Sequence, residues 1–111
     1  MTVISKSLFQ AAYIATTPQL VYRAESVTGK VEAATVTNSS DIDATVSVYA
    51  VESGGSPDAS NQIVKAQRVR PEEAYLLPEL RGQTFEAGDE IYAVASAGSA
   101  IVMRLSGLEI T

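Results

Sequence analysis

Residues 43–52, Asp43-Ala44-Thr45-Val46-Ser47-Val48-Tyr49-Ala50-Val51-Glu52, alternate small or β-branched apolar side chains with polar ones. In an extended chain successive side chains point to opposite faces. Ala44, Val46, Val48 and Ala50 then line one face, and Thr45, Ser47 and Tyr49 the other. A helix would scatter the same apolar residues around its circumference, and Val and Thr pack well on a pleated surface. The stretch is a β-strand with one face toward a core. Lys30 to Asn38 repeats the pattern, and the tract between them, Asn38-Ser39-Ser40-Asp41, has turn chemistry. Residues 30–52 are therefore predicted to form a β-hairpin with a short polar loop.

The same alternation extends outward. Ser53-Gly54-Gly55-Ser56-Pro57-Asp58 is the longest loop signal, after which Ile63 to Arg70 resumes as a strand that Pro71 ends. Tyr75 to Leu77 is a short strand stopped by Pro78. Ala87-Gly88-Asp89 is a turn into Glu90 to Ala97, where Ile91, Ala93, Ala95 and Ala97 share a face. In Ile101 to Thr111 the apolar phase switches at Ser106-Gly107, which predicts a β-bulge there. Leu8 to Ala15 and Leu20 to Tyr22 read as strands split at Thr17-Pro18, and a helix over Leu8 to Ile14 has little amphipathic support. Roughly eight short strands with frequent turns predict an all-β fold, an antiparallel β-sandwich of jelly-roll or immunoglobulin-like type. Residues 1–23 are expected to be a strand or arm that packs on the domain or reaches from it. Residues 24–111 are expected to be the sandwich, within a single domain.

Composition excludes much chemistry. The 111 residues contain no cysteine and no histidine. Disulfides, thiolate metal sites, Ser-His or Cys-His relays and imidazole ligands are thereby ruled out. Tryptophan is also absent, and the aromatics are five Tyr and two Phe, which removes the commonest hot-spot residue and sugar platform. Eight basic against 13 acidic residues give a net charge of −5 and a pI near 4.6. Such a chain repels nucleic acid and anionic lipid. No apolar run approaches the ~18 residues of a membrane span, and the first residues lack the continuous apolar core of a signal peptide. The expectation is a soluble protein with no nucleic-acid or membrane partner, no cofactor and no metal, and not an enzyme.

Several clusters have both a functional and an ordinary reading. Lys65, Arg68 and Arg70 are either a docking patch for an acidic partner or an edge strand protected by charge; on a regular strand Arg68 and Arg70 share a face and Lys65 does not. Glu86, Asp89 and Glu90 crowd a turn without the alternating spacing of a calcium loop. Asp41 and Asp43 lie in or beside a polar turn, where ordinary ionisation is expected rather than the raised pKa of an acid catalyst. The tyrosines are scattered along the chain, and Tyr49, pointing away from the Val46–Val48 face, is either exposed or covered in a subunit contact. No glycine pattern cradles a phosphate. The apolar N-terminal residues Leu8, Phe9, Tyr13 and Ile14 are candidates for contact with a neighbour.

The order of several stretches resembles a group of short virion structural proteins of tailed bacteriophages. These are Ala34-Thr35-Val36-Thr37-Asn38 leading into Ala44-Thr45-Val46-Ser47-Val48-Tyr49-Ala50-Val51, then Gly54-Gly55, and Asn61 with Ile63-Val64. They continue with Tyr75-Leu76-Leu77-Pro78-Glu79-Leu80, Glu86-Ala87-Gly88-Asp89, and Ser106-Gly107-Leu108-Glu109-Ile110-Thr111. The resemblance covers roughly residues 30–111. It implies a β-sandwich subunit of the particle, often oligomeric, and above all a capsid decoration (cement) protein that stabilises the shell through subunit contacts. Expected partners are further copies of itself, a trimer by preference, and the major capsid protein or another virion protein. The expected location is the virion, after assembly in the host cytoplasm. The alternatives are a tail, neck or fibre component and, from another class, a glycan or host-surface binding module.

Overall fold

The computed structural model describes all of residues 1–111. Nine strands follow in order: β1 (Val3–Tyr13), β2 (Gln19–Arg23), β3 (Thr28–Asn38), β4 (Ala44–Val51), β5 (Gln62–Val69), β6 (Ala74–Leu76), β7 (Thr84–Phe85), β8 (Glu90–Ala95) and β9 (Ile101–Ile110). A single 3₁₀ turn, Ala59–Asn61, precedes β5 and is capped by Asp58. One sheet runs β1-β9-β3-β6, with β7 also on β3, and the other runs β2-β8-β4-β5. Every pairing is antiparallel.

The pairs nest. β4 pairs with β5, β3 with β6, β2 with β8 and β1 with β9. This is a two-stranded ribbon wound into two sheets, the strand order of a jelly roll. The expected antiparallel sandwich is what forms, and of its two variants the jelly roll.

The predicted hairpin does not form. β3 and β4 lie in different sheets, and residues 39–43 cross between them. Both strands are apolar on one face, with Val31, Ala34 and Val36 of β3 and Ala44, Val46 and Val48 of β4 all buried. Placing the strands in opposite sheets brings both faces into one core. Asn38 fixes the corner. It is fully buried, and its amide nitrogen donates to the carbonyls of Ile42 (2.7 Å) and Val69 (2.9 Å). Its amide oxygen accepts from Ser40 N (2.9 Å) and Ser40 Oγ (2.7 Å).

The core between the sheets also contains Ile91, Ala93, Ile101, Met103 and Leu105. Leu77, Leu80 and Phe85, around the short strands β6 and β7, are buried in the same cluster. β7 had no counterpart in the sequence reading, because two residues are too short to show a period. Leu8 to Ile14 is no helix; the first strand starts at Val3 and pairs with β9 throughout.

The predicted bulge at Ser106-Gly107 is also corrected. β9 keeps one phase, with Ile101, Met103, Leu105 and Gly107 all buried. The extra residues lie opposite it, in β3 between Val31 and Ala33 and in β1 between Ser7 and Phe9. The apparent switch in β9 arises because Leu108 and Ile110 are half-buried on the outer face. Gly107 is required by a close approach: a Cβ there would collide with the Lys30 carbonyl oxygen.

Asn38→Ala would leave the Ile42 and Val69 carbonyls without these donors. A loss of about 2–3 kcal/mol is expected in urea unfolding, against about 1 kcal/mol or less for Ser40→Ala. Equal small losses would show that the corner does not depend on the amide.

Candidate interaction surface

The eight candidate contact residues do not form one site. β1 and β2 border one side of the sandwich and β5 and β6 the other, so the N-terminal group and the basic group lie at opposite margins. In the first group, Leu8 and Phe9 are half-buried and packed against the core. Tyr13 is 51% exposed, with its hydroxyl 3.1 Å from Ser39 Oγ. Ile14 is corrected as a contact residue. It is 1% exposed, and its N–H donates to the Ile101 carbonyl at 2.8 Å, so it belongs to the core.

In the second group, Lys65 and Arg68 are exposed on β5, and Arg70 is exposed just beyond it. The pairing revises which of them share a face. Val48 faces Val64 and Val46 faces Gln67, so β5 carries an extra residue between these pairs. Ala66 takes it up in the left-handed region, at φ 48°, and its N–H donates to Ser47 Oγ at 2.9 Å. The bulge restores the alternation, so Lys65 points outward like Arg68, which pairs with Thr45. Arg68 is ion-paired with Asp43.

Tyr49 lies half-buried on the outer face of the second sheet, directly opposite Tyr92 of β8. Its hydroxyl accepts from Gln62 Nε2 at 3.3 Å. On the other flank Tyr92 faces Leu20, which is 43% exposed. Tyrosines that looked scattered in sequence thus include one adjacent cross-strand pair.

The margin between β1 and β2 holds a cleft of about 530 Å³, lined in part by Lys6, Leu8, Leu20, Tyr22, Arg23 and Glu109. Two polar clusters here were not legible in the sequence. Tyr22 is buried, and its hydroxyl donates to Glu109 Oε2 at 2.7 Å, while Lys6 Nζ lies 3.2 Å from Glu109 Oε1. The Tyr22 hydrogen bond first, and then Lys6, hold the Glu109 carboxyl below the usual carboxylate range, against the opposing effect of burial. Burial and the Glu109 carboxylate in turn push the Tyr22 phenol up. Gly29 makes room for this phenol, since a Cβ there would collide with the Tyr22 hydroxyl.

Glu90, which read as a turn residue, is 5% exposed and ion-paired with Arg23; Tyr92 also donates to it at 3.2 Å. Asp89 ties the adjoining turn together, accepting from Glu86 N and Ser53 N at 2.9 and 3.1 Å. No group of three or more acidic side chains is placed to hold a metal ion.

What fold and surface define is a jelly-roll domain with a long open-edged strand at one margin and a charged, bulged strand at the other. Comparison with protein-family models, curated proteins and solved structures finds no match.

Tyr22→Phe should lower stability by about 1–2 kcal/mol at neutral pH, less than a fully buried charged hydrogen bond because Glu109 keeps some solvent access. Because the folded-state pKa of Glu109 is depressed, this stability is full above the unfolded value of about 4.3 and is lost as pH falls through the folded value. Paired thermal melts should therefore differ at pH 7 and converge in acid; a gap independent of pH would show that the carboxylate is not involved.

Proposed function

We propose that the chain is a structural protein of a tailed-phage virion, a capsid decoration protein that stabilises the shell through subunit contacts. The observation that carries a role in assembly is β1, an 11-residue strand at the sheet margin with exposed Val3, Ile4 and Tyr13. A strand of this kind offers both a backbone template and apolar area to another chain. Jelly rolls are also an architecture of virus shells, a fold-level analogy that raises this reading without selecting it. The phage virion and the capsid position come from the sequence resemblance over residues 30–111. In this reading the protein acts at the particle with copies of itself and the major capsid protein, and no catalytic step or cofactor is assigned to it.

A second reading, a glycan or host-surface binding module, has one observation in its favour. Tyr49 and Tyr92 stand side by side on the outer face of the second sheet, flanked by Leu20 and Gln62. Such a row offers aromatic area with hydrogen-bonding groups at its border.

The discriminating experiment mixes the purified protein with expanded, undecorated phage capsids and sediments them. Saturable co-sedimentation, with a decorated shell that resists heating better than the bare one, is the expected result. A protein that forms rings or tubes and ignores capsids would move to the tail or neck. Glycan binding that Tyr49→Ala abolishes would replace the virion reading by the second one.

A further inference from the structure

The borders of the two sheets are formed by β1, β2, β5 and the β6–β7 pair, and most of them are poor templates for pairing. β5 carries Lys65 and Arg68 outward and is broken by the bulge at Ala66. β6 has three residues, β7 two, and β2 five with a register shift. Natural sheets protect their edges in these ways.

β1 is bulged between Ser7 and Phe9 and again between Phe9 and Ala12, but its first segment, Val3 to Ser7, has little such protection. Its single charge, Lys6, is held by Glu109 of its own chain, and Val3 and Ile4 are 52% and 50% exposed. Thr2 and Thr111 exchange both backbone hydrogen bonds, at 3.3 and 2.9 Å, and the register is then unbroken from Val3–Ile110 to Ser7–Ser106. Antiparallel alternation therefore turns the N–H and C=O of Ile4 and Lys6 toward β9, and those of Val3, Ser5 and Ser7 toward the open edge. Ser7 Oγ is also the one buried side-chain oxygen or nitrogen without a hydrogen-bond partner.

We propose that residues 3–7 of β1 pair antiparallel with the same residues of a second copy of this chain, across a twofold axis at Ser5. The argument for a second copy is self-complementarity. A twofold register must match outward-turned residues with one another, which leaves axes at Ile4, Ser5 or Lys6. An axis at Ile4 leaves Ser7 unpaired. One at Lys6 sets two ammonium groups opposite each other, a destabilising arrangement. With the axis at Ser5, Val3 of each copy faces Ser7 of the other and Ser5 faces Ser5.

These pairs would exchange about six backbone hydrogen bonds. On the other face each Lys6 lies beside Ile4 of the second copy, where its methylene stem covers exposed apolar area while its ammonium stays with Glu109. The bulge after Ser7 ends the straight segment. The two copies then share one continuous sheet. The contact is isologous and closes on itself, so it cannot propagate into a fibre. It rests on the structural reading above only for its biological use, and its geometry stands apart from it.

Sedimentation velocity on the full chain tests this. The wild type is expected to run as a dimer, and Ser5→Lys and Ser5→Glu, each placing like charges on the axis, as monomers. An equimolar mixture of the two variants should recover the dimer mass, which also shows that both variants are folded. Since the chain has no cysteine, Ser5→Cys should oxidise to a disulfide-linked dimer. A monomeric wild type, or a dimer that neither charge variant disturbs, would overturn the pairing. A dimer that behaves as expected but ignores capsids supports the pairing and overturns the decoration reading. A monomer that saturates capsids does the reverse.

Discussion

The buried amide of Asn38 is the constraint from which the architecture follows. A strand whose inward face is apolar can leave its sheet only where the backbone groups freed at the corner find other partners. Asn38 supplies them from a single side chain. It binds carbonyls at the entry to β4 and the end of β5 and accepts from the residue two places on. Its backbone adds to this: its N–H donates to the Glu73 carbonyl at 3.0 Å, and its carbonyl accepts from Glu72 N at 2.8 Å. The end of β3, the start of β4, the end of β5 and the approach to β6 therefore meet at one residue. Without such a knot, a turn-like tract between two alternating strands would favour the simpler hairpin.

A second constraint concerns β9, which runs through the first sheet between β1 and β3. It keeps a regular alternation while both neighbours bulge near Ser106, β1 opposite Leu105 and Ser106 and β3 opposite Ser106 and Gly107. The paired bulges increase twist locally. They also bring the Lys30 carbonyl so close to β9 that only glycine fits at 107. Beyond this point the inward position is taken by Glu109, and the sandwich ends in a polar cluster with Tyr22 and Lys6 rather than in more apolar core. The charge of Lys6 is thus used within the fold, which is why it does little to defend the edge on which it lies.

Period-two patterning made strand identity legible, because one buried face imposes it residue by residue. Ala44, Val46 and Val48, Ile91, Ala93 and Ala95, and Ile101, Met103 and Leu105 are all buried as the alternation requires. Sheet assignment was not legible, since alternation says which face is inside and nothing about which strand lies alongside. The tract from Asn38 to Asp41 has the composition of a turn whether it closes a hairpin or crosses a core. Bulges were not legible: the phase break near Ser106-Gly107 came from apolar Leu108 and Ile110 on the outer face, while the extra residues lie in β1 and β3. At Ala66 there was no signal, because alanine carries no mark of a left-handed backbone. The face shared by Lys65 and Arg68 was missed for that reason. Glu90 and Glu109 were missed because burial of a carboxylate depends on partners such as Arg23 and Tyr22, which lie far off in sequence.

The two margins of the sandwich are built on opposite principles, and the difference is energetic as well as chemical. Holding Ala66 in the left-handed region costs about 1–2 kcal/mol, and exposed Lys65 and Arg68 return little stability to a monomer. Those features are explicable as means of keeping that edge solitary. At the other margin the chain spends an 11-residue strand on a single partner, β9, and leaves alternate backbone groups and several apolar side chains facing outward. A monomer gains nothing from that exposure. The two edges thus differ in kind: β5 is charged and bulged beside water, whereas β1 from Val3 to Ser7 keeps a regular backbone edge and apolar side chains free for pairing.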